Sequence, residues 1–200
     1  MLYLKILRKF KYLYGKYFIQ YPRIIKYRVL SNCKRVIGKP VVIQPTQLSG
    51  DGTITFGKHV KLGFNLSPFF YNGYGYIDAR TQKSIIKLGD NVSINNNPII
   101  ISEGAGIEIG SNTLIGFNVE ITDSDFHDLN PNRRRSGTPK TNRVRIGENV
   151  FIGSNVTILK GVTIGNNSVI ANRSVVTKSL PDNVIAGGYP CKVLKHLELN

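Results

Sequence analysis

The chain is 200 residues long and 41% hydrophobic, with 27 Lys and Arg against 12 Asp and Glu, a formal net charge of +15. Such a length makes one domain with at most a small appendage, and that apolar fraction supports a packed core. The charge points to an anionic substrate, cofactor, membrane or nucleic acid without choosing among them. Two cysteines, Cys33 and Cys191, are too few for a disulfide framework, and no Cys/His cluster has zinc-site spacing, so no metal is expected.

Residues 1–40 contain no Asp or Glu and form a basic extension. Between Tyr3 and Phe18, the apolar or aromatic Ile6, Leu7, Phe10, Leu13, Tyr14 and Tyr17 fall at helical spacing, with Lys5, Lys9, Lys11 and Lys16 over much of the remainder. That pattern predicts a basic amphipathic helix, which Pro22 ends or bends. Two roles fit it: packing against the rest of the chain or a neighbouring subunit, or lying in the plane of an anionic membrane surface. Charges interrupt every stretch that could cross a membrane or serve as a secretion signal, so the expected location is the cytoplasm or the inner face of the membrane.

From residue 41 a different period takes over. Phe56-Gly57, Val60, Leu62-Gly63 and Leu66 give early repeats, and Leu88-Gly89, Val92, Ile94 and Ile100 resume the phase. Residues 101–108 read as an irregular corner before Ile109-Gly110, Ile115-Gly116 and Ile121. Between the early repeats, Pro68 to Gly75 is aromatic, with Phe69, Phe70, Tyr71 and Tyr74 and then Tyr76, and either covers an edge or overhangs a substrate groove.

The pattern is most regular from Ile146 onward, where Ile146, Ile152, Ile158, Ile164, Ile170 and Val176 recur every six residues. A helix repeats near 3.6 residues and a half-buried strand at 2. Six fits a coil of three short strands, about eighteen residues around, with one aliphatic side chain per face pointing inward. Ile146 would then stack beneath Ile164 and Ile152 beneath Ile170, and Asn149, Asn155 and Asn167 would turn the corners, because Asn tolerates left-handed backbone.

The coil is broken between Ile121 and Ile146. The break carries Asp123, Asp125, His127 and Asp128, then Arg133, Arg134, Arg135, Gly137 and Arg143. A long polar loop leaving an economical coil asks for a function. After Val176, Pro181, Gly187-Gly188 and Pro190 turn the chain, and the last residues are expected to form a short helix. The division is therefore a basic extension over 1–40, a coil over 41–195 with a loop at 122–143, and a tail over 196–200.

The six-residue repeat, the His-containing loop inside it and the terminus Ala186-Gly187-Gly188-Tyr189-Pro190-Cys191-Lys192 together resemble the hexapeptide-repeat acyltransferases. Within them, the chain looks like the sugar and polysaccharide O-acetyltransferases, with serine and maltose acetyltransferases as relatives. The resemblance implies an all-β fold, a left-handed parallel β-helix with a C-terminal cap, assembled as a homotrimer with an acetyl-CoA groove between subunits. Phe151 stands where many relatives have Trp, and Gly188-Tyr189 and Cys191 replace small residues, so the shape around the cofactor tail differs.

The same resemblance singles out His127. An imidazole titrates near neutral pH and can take the proton of a hydroxyl nucleophile, with direct transfer from acetyl-CoA and no acetyl-enzyme. Asp125 is the expected orienting carboxylate, with Glu148 its rival and Asp123 and Asp128 also in reach. His59 and His196 suit surface or packing roles. For acetyl-CoA, Gly153, Ser154, Gly161 and Gly165 permit close backbone approach, and Arg173, Lys178 and Lys192 offset phosphate charge. The loop arginines suit either a phosphate-bearing acceptor or the outer surface of the trimer.

The function implied is O-acetylation of a sugar hydroxyl in capsule, lipopolysaccharide or exopolysaccharide biosynthesis, on a sugar, nucleotide sugar or lipid-linked glycan. N-acetylation of an amino nucleotide sugar and noncatalytic glycan binding are the alternatives. No P-loop or complete dinucleotide fingerprint is present, and nothing beyond net charge favours nucleic acid, which is not an expected partner.

Overall fold

The computed structural model describes residues 2–198. Met1, Leu199 and Asn200, at the ends of the basic extension and the 196–200 tail, lie outside the described residues. The chain winds into a three-sided prism. The first face stacks Arg35–Ile37, Thr53–Phe56, Ile85–Leu88, Ile107–Ile109, Val144–Ile146 and Thr163–Ile164. The second stacks Val41–Val42, Lys61–Leu62, Ser93–Ile94, Leu114–Ile115, Phe151–Ile152 and Val169–Ile170, then Val184–Gly188 and Cys191–His196. The third stacks Thr46–Ser49, Gly75–Ala79, Ile99–Ser102, Glu120–Thr122, Thr157–Ile158 and Val175–Val176.

Strands within a face are parallel until the last pair, and the six-residue phase sets their register. Ile146 pairs with Ile164, Ile152 with Ile170 and Ile158 with Val176, and all six are buried in one continuous core. Each fully buried aliphatic side chain contributes about 1.5–3 kcal/mol relative to exposure. Two edges of the prism are turned by asparagines in the left-handed region. Their side chains bond from coil to coil: Asn149 Nδ2 donates to Asn167 Oδ1 at 2.9 Å and Asn167 Nδ2 to Asn183 Oδ1 at 2.8 Å on one edge. On the next, Asn97 Nδ2 donates to Asn118 Oδ1 and Asn118 Nδ2 to Asn155 Oδ1, both at 2.9 Å.

Several expectations are corrected. Strand pairing begins at Arg35, which pairs with Thr53, rather than after residue 40. Leu66 is 90% exposed with φ 65°, because the chain leaves the coil after Leu62 and returns only at Gly75. Ser102 and Ile107 belong to strands, so the irregular corner narrows to residues 103–106. The C-terminal segment is a strand, not a helix: Cys191–His196 runs antiparallel to Val184–Gly188, where the Gly188-Tyr189-Pro190 turn folds it back onto the open edge of the second face.

The N-terminal helix exceeds its expected span. Helix α1 (Leu2–Tyr14) passes through a π-helical turn (Gly15–Gln20) into helix α2 (Tyr21–Leu30). Pro22 lies at the start of α2, directly after the π-helical turn, and does not end the helix. The aromatic insertion supplies the seat for this arm. The Tyr27 and Tyr74 rings stack with centroids 4.3 Å apart, and a Cβ on Gly15 would come within 2.7 Å of the Tyr71 hydroxyl. Phe70, in the same insertion, is buried.

Candidate active site

The long loop leaves the prism at the third edge, between the third-face strand Glu120–Thr122 and the first-face strand Val144–Ile146. Its base is rigid. Asp123 is fully buried and accepts hydrogen bonds from Ser102 Oγ at 2.7 Å and from the Glu103 and Gly106 amides, both at 2.6 Å. Ser124 bridges Thr141 in antiparallel fashion, and the Asp125 amide donates to the Lys140 carbonyl at 3.1 Å. The loop thus starts as a two-stranded ribbon clamped to the coil by a buried carboxylate.

Beyond the ribbon, Phe126 adopts φ 59°, a region costly for a bulky residue. Its ring lies 5.1 Å from the Arg80 guanidinium, a cation–π contact that helps hold the turn. His127 follows and is exposed. Its Nδ1 lies 3.3 Å from the Arg134 carbonyl oxygen. A carbonyl only accepts, so Nδ1 is the donor in this contact, and in the neutral imidazole the lone pair is then on Nε2. The imidazole lines a shallow cavity of about 420 Å³ with Pro131, Asn132, Arg134, Arg135 and Ser136.

None of the four carboxylates named from the sequence bonds to this imidazole. Asp125, the expected orienting group, instead pairs through Oδ1 with Lys160 Nζ at 3.1 Å. Asp128 Oδ1 accepts from the Asn130 amide at 2.9 Å, and its Oδ2 lies 3.3 Å from Arg133 Nε. Asp123 is consumed in the corner below, and Glu148 lies at the edge between the first and second faces. Lys160 and the Arg134 carbonyl were missed. The six-residue phase places Lys160 at the loop's own edge, two residues after inward-facing Ile158, which is the one signal that could have found it.

The expected cofactor residues are spread over the prism. Gly161 and Lys178 stand on the loop's edge, and Gly153, Ser154 and Arg173 on the edge between the second and third faces. Gly165 stands on the remaining edge, and Lys192 is in the final strand. The first two groups flank the third face; Gly165 does not. Gly153 and Gly165 have a packing reason for lacking a side chain, because a Cβ would collide with Asn172 and Asp182 of the next coil. Gly161 has φ 78° and donates its amide to the Asn142 carbonyl at the loop base. Arg173, Lys178 and Lys192 are exposed, with no carboxylate within 4.0 Å among the described residues. Of the loop arginines, Arg143 turns back to the coil, donating to the Ala105 carbonyl and pairing with Glu108. Among the described residues no group of three or more potential metal ligands occurs.

The coil that carries this loop has known counterparts. The family model described as bacterial transferase hexapeptide (six repeats) matches residues 143–178. A galactoside O-acetyltransferase of Escherichia coli K12 is 34% identical over 171 residues, covering 82% of this chain and 79% of that protein. The chain belongs to the hexapeptide-repeat acetyltransferase family. A galactoside O-acetyltransferase of Lactococcus lactis is 36% identical over 132 residues, 66% of this chain. The chain spans 63% and 59% of the lengths of the first curated relatives it matches.

Among solved structures, a hexapeptide-repeat acetyltransferase of Vibrio cholerae O1 biovar eltor, in complex with acetyl-CoA, superposes with a TM-score of 0.53 at 28% identity, covering 80% of this chain and 71% of that one. The prism described above is the left-handed parallel β-helix of this hexapeptide-repeat family.

Proposed function

We propose that the protein transfers the acetyl group of acetyl-CoA to a hydroxyl of a sugar-containing acceptor, with His127 as general base. The observation that carries this reading is an exposed imidazole that lines a cavity and has its Nδ1 against the Arg134 carbonyl. The relatives' names support a sugar hydroxyl as the acceptor, and the acetyl-CoA of the Vibrio structure supports the donor.

The thioester supplies an activated acyl carbon. His127 Nε2 takes the acceptor's hydroxyl proton as the oxygen attacks; the carbon–sulfur bond breaks, and the imidazolium returns its proton to the departing thiolate. The Arg134 carbonyl holds the ring in one tautomer and also accepts from the doubly protonated ring, so no carboxylate is needed to stabilise it. Arg134 and Arg135, on the cavity wall, suit an acidic or phosphate-bearing glycan. Exposed Lys178 and Arg173, on the two edges of the third face, suit the donor's phosphates.

The acceptor class we assign is a precursor of capsule, lipopolysaccharide or exopolysaccharide, modified in the cytoplasm by a homotrimer. Exposed Leu114 and Phe151, paired in register on the second face, support a subunit contact. Incubation with acetyl-CoA and candidate glycans, read by thiol release and product mass, tests the reading. An ester product formed by the native protein and lost in His127→Ala is expected; undiminished turnover in that variant overturns the assignment.

A further inference from the structure

The N-terminal arm is mounted with its apolar side outward. Its orientation is fixed at one end by the coil: Gln20 Nε2 donates to the Ile43 carbonyl at 3.1 Å, and Arg23 Nη1 donates to Gln20 Oε1 at 2.7 Å and the Phe70 carbonyl at 2.9 Å. These contacts, with Gly15 against Tyr71, set which side faces the prism. Tyr12, Lys16 and Gln20 are on that side, lining a cleft of about 590 Å³ against the first coil.

At roughly 100° per residue, the opposite side of α1 carries Ile6, Phe10, Leu13 and Tyr14. Phe10 stacks on Tyr14 at 6.4 Å and Tyr14 on Phe18 at 5.4 Å, a run of rings along the helix. They cover nothing, being 64%, 50% and 72% exposed. An amphipathic helix of a soluble domain turns this side to its core. Here the polar side faces the coil. Helix α1 makes no substantial packing with any strand, and 13 residues without a packing partner are marginally helical in water. The outward side therefore needs an occupant.

Charge selects it. Residues 1–40 have no carboxylate side chain, and Lys5, Arg8, Lys9 and Lys11 share helix α1 with the aromatic side. A second copy laid against it would bring these cations together, whereas anionic headgroups would neutralise them and the rings would enter the interfacial layer. Among the described residues no helix is long and apolar enough to cross a membrane. We propose that α1 and the following π-helical turn dock in the plane of an anionic lipid bilayer through Ile6, Phe10, Leu13, Tyr14 and Phe18.

The test is co-sedimentation of the full chain with vesicles of phosphatidylcholine alone and of phosphatidylcholine mixed with phosphatidylglycerol. Binding to the mixed vesicles only, weakening with salt, is expected. The variant Phe10→Ser/Tyr14→Ser/Phe18→Ser should bind the mixed vesicles roughly tenfold less well, with the thermal unfolding of the coil retained. Lys5→Gln/Lys9→Gln/Lys11→Gln, which keeps the rings, should lose the preference for anionic lipid. No pelleting, equal pelleting with both vesicles, or unchanged binding by the ring variant overturns the proposal. Dissociation of an oligomer by the ring variant without a change in vesicle binding would assign the face to a second copy. Vesicle binding is read without turnover, so its failure is distinct from failure of acetyl transfer.

Discussion

His127 Nδ1 lies 3.3 Å from the main-chain oxygen of Arg134, seven residues onward in the same loop. A main-chain oxygen, rather than a carboxylate, is therefore what orients this ring, and under the proposed function the loop's own fold positions the base. Replacing His127 with Ala is expected to lower kcat/KM by about 10²–10⁴-fold, the usual contribution of a general base, in a coupled assay of thiol release.

Asp125 ties the loop to the coil through its ion pair with Lys160. Asp125→Asn should reduce kcat less than His127→Ala and leave the pH profile of kcat in place, since the imidazole keeps its partner. Lys160→Met should do the same, and the double variant should cost no more than the larger single effect. A double-mutant cycle on kcat checks this; additive losses would show that the two side chains act separately.

Asp123 bears on stability. Asp123→Asn keeps the shape but removes the charge that accepts three hydrogen bonds in a dry corner. A loss of about 3 kcal/mol is expected, measured by urea unfolding of the native protein at fixed concentration.

Burial pushes the Cys191 thiol up from its ordinary range, a shift that the Ser174 hydroxyl opposes. Its thiolate fraction is therefore smaller at any pH below its native midpoint. Alkylation of Cys191 at mildly alkaline pH should be slower in the native protein than after denaturation, as read by peptide mass. By the same sign, this group's contribution to stability is complete below the thiol's unfolded pKa and declines as pH rises toward its native one.

Phe151 is half exposed beside Leu114, where the second face presents apolar rather than charged side chains. Phe151→Arg is expected to shift a trimer toward monomer in size-exclusion chromatography with light scattering. It should leave the β-rich circular dichroism spectrum unchanged, because the side chain lies outside the core.

The coil was legible because its register is written locally: inward aliphatic residues recur at a fixed interval, and Ile146 over Ile164 follows from counting. Leu66 fits the count and breaks the rule, since departure from the coil at Gly63 is decided by the seat that the aromatic insertion makes for a helix far upstream. The C-terminal strand was also hidden, because the free edge it pairs with is a tertiary feature. At the candidate site, His127 stands out by residue type and position. Asp125, two residues away, would share its side of an extended segment, but the left-handed backbone of Phe126 separates them. Lys160, the partner Asp125 does meet, is distant in sequence and comes alongside only when the next coil is wound.

The antiparallel sense of Cys191–His196 has a further consequence. A coil whose rungs all point one way offers the same template at its end as within, so copies could add head to tail without limit. The reversed strand makes the second face end in a rung of opposite polarity, which an incoming parallel rung cannot continue in register. The molecule thereby carries its own stop against growing into a filament.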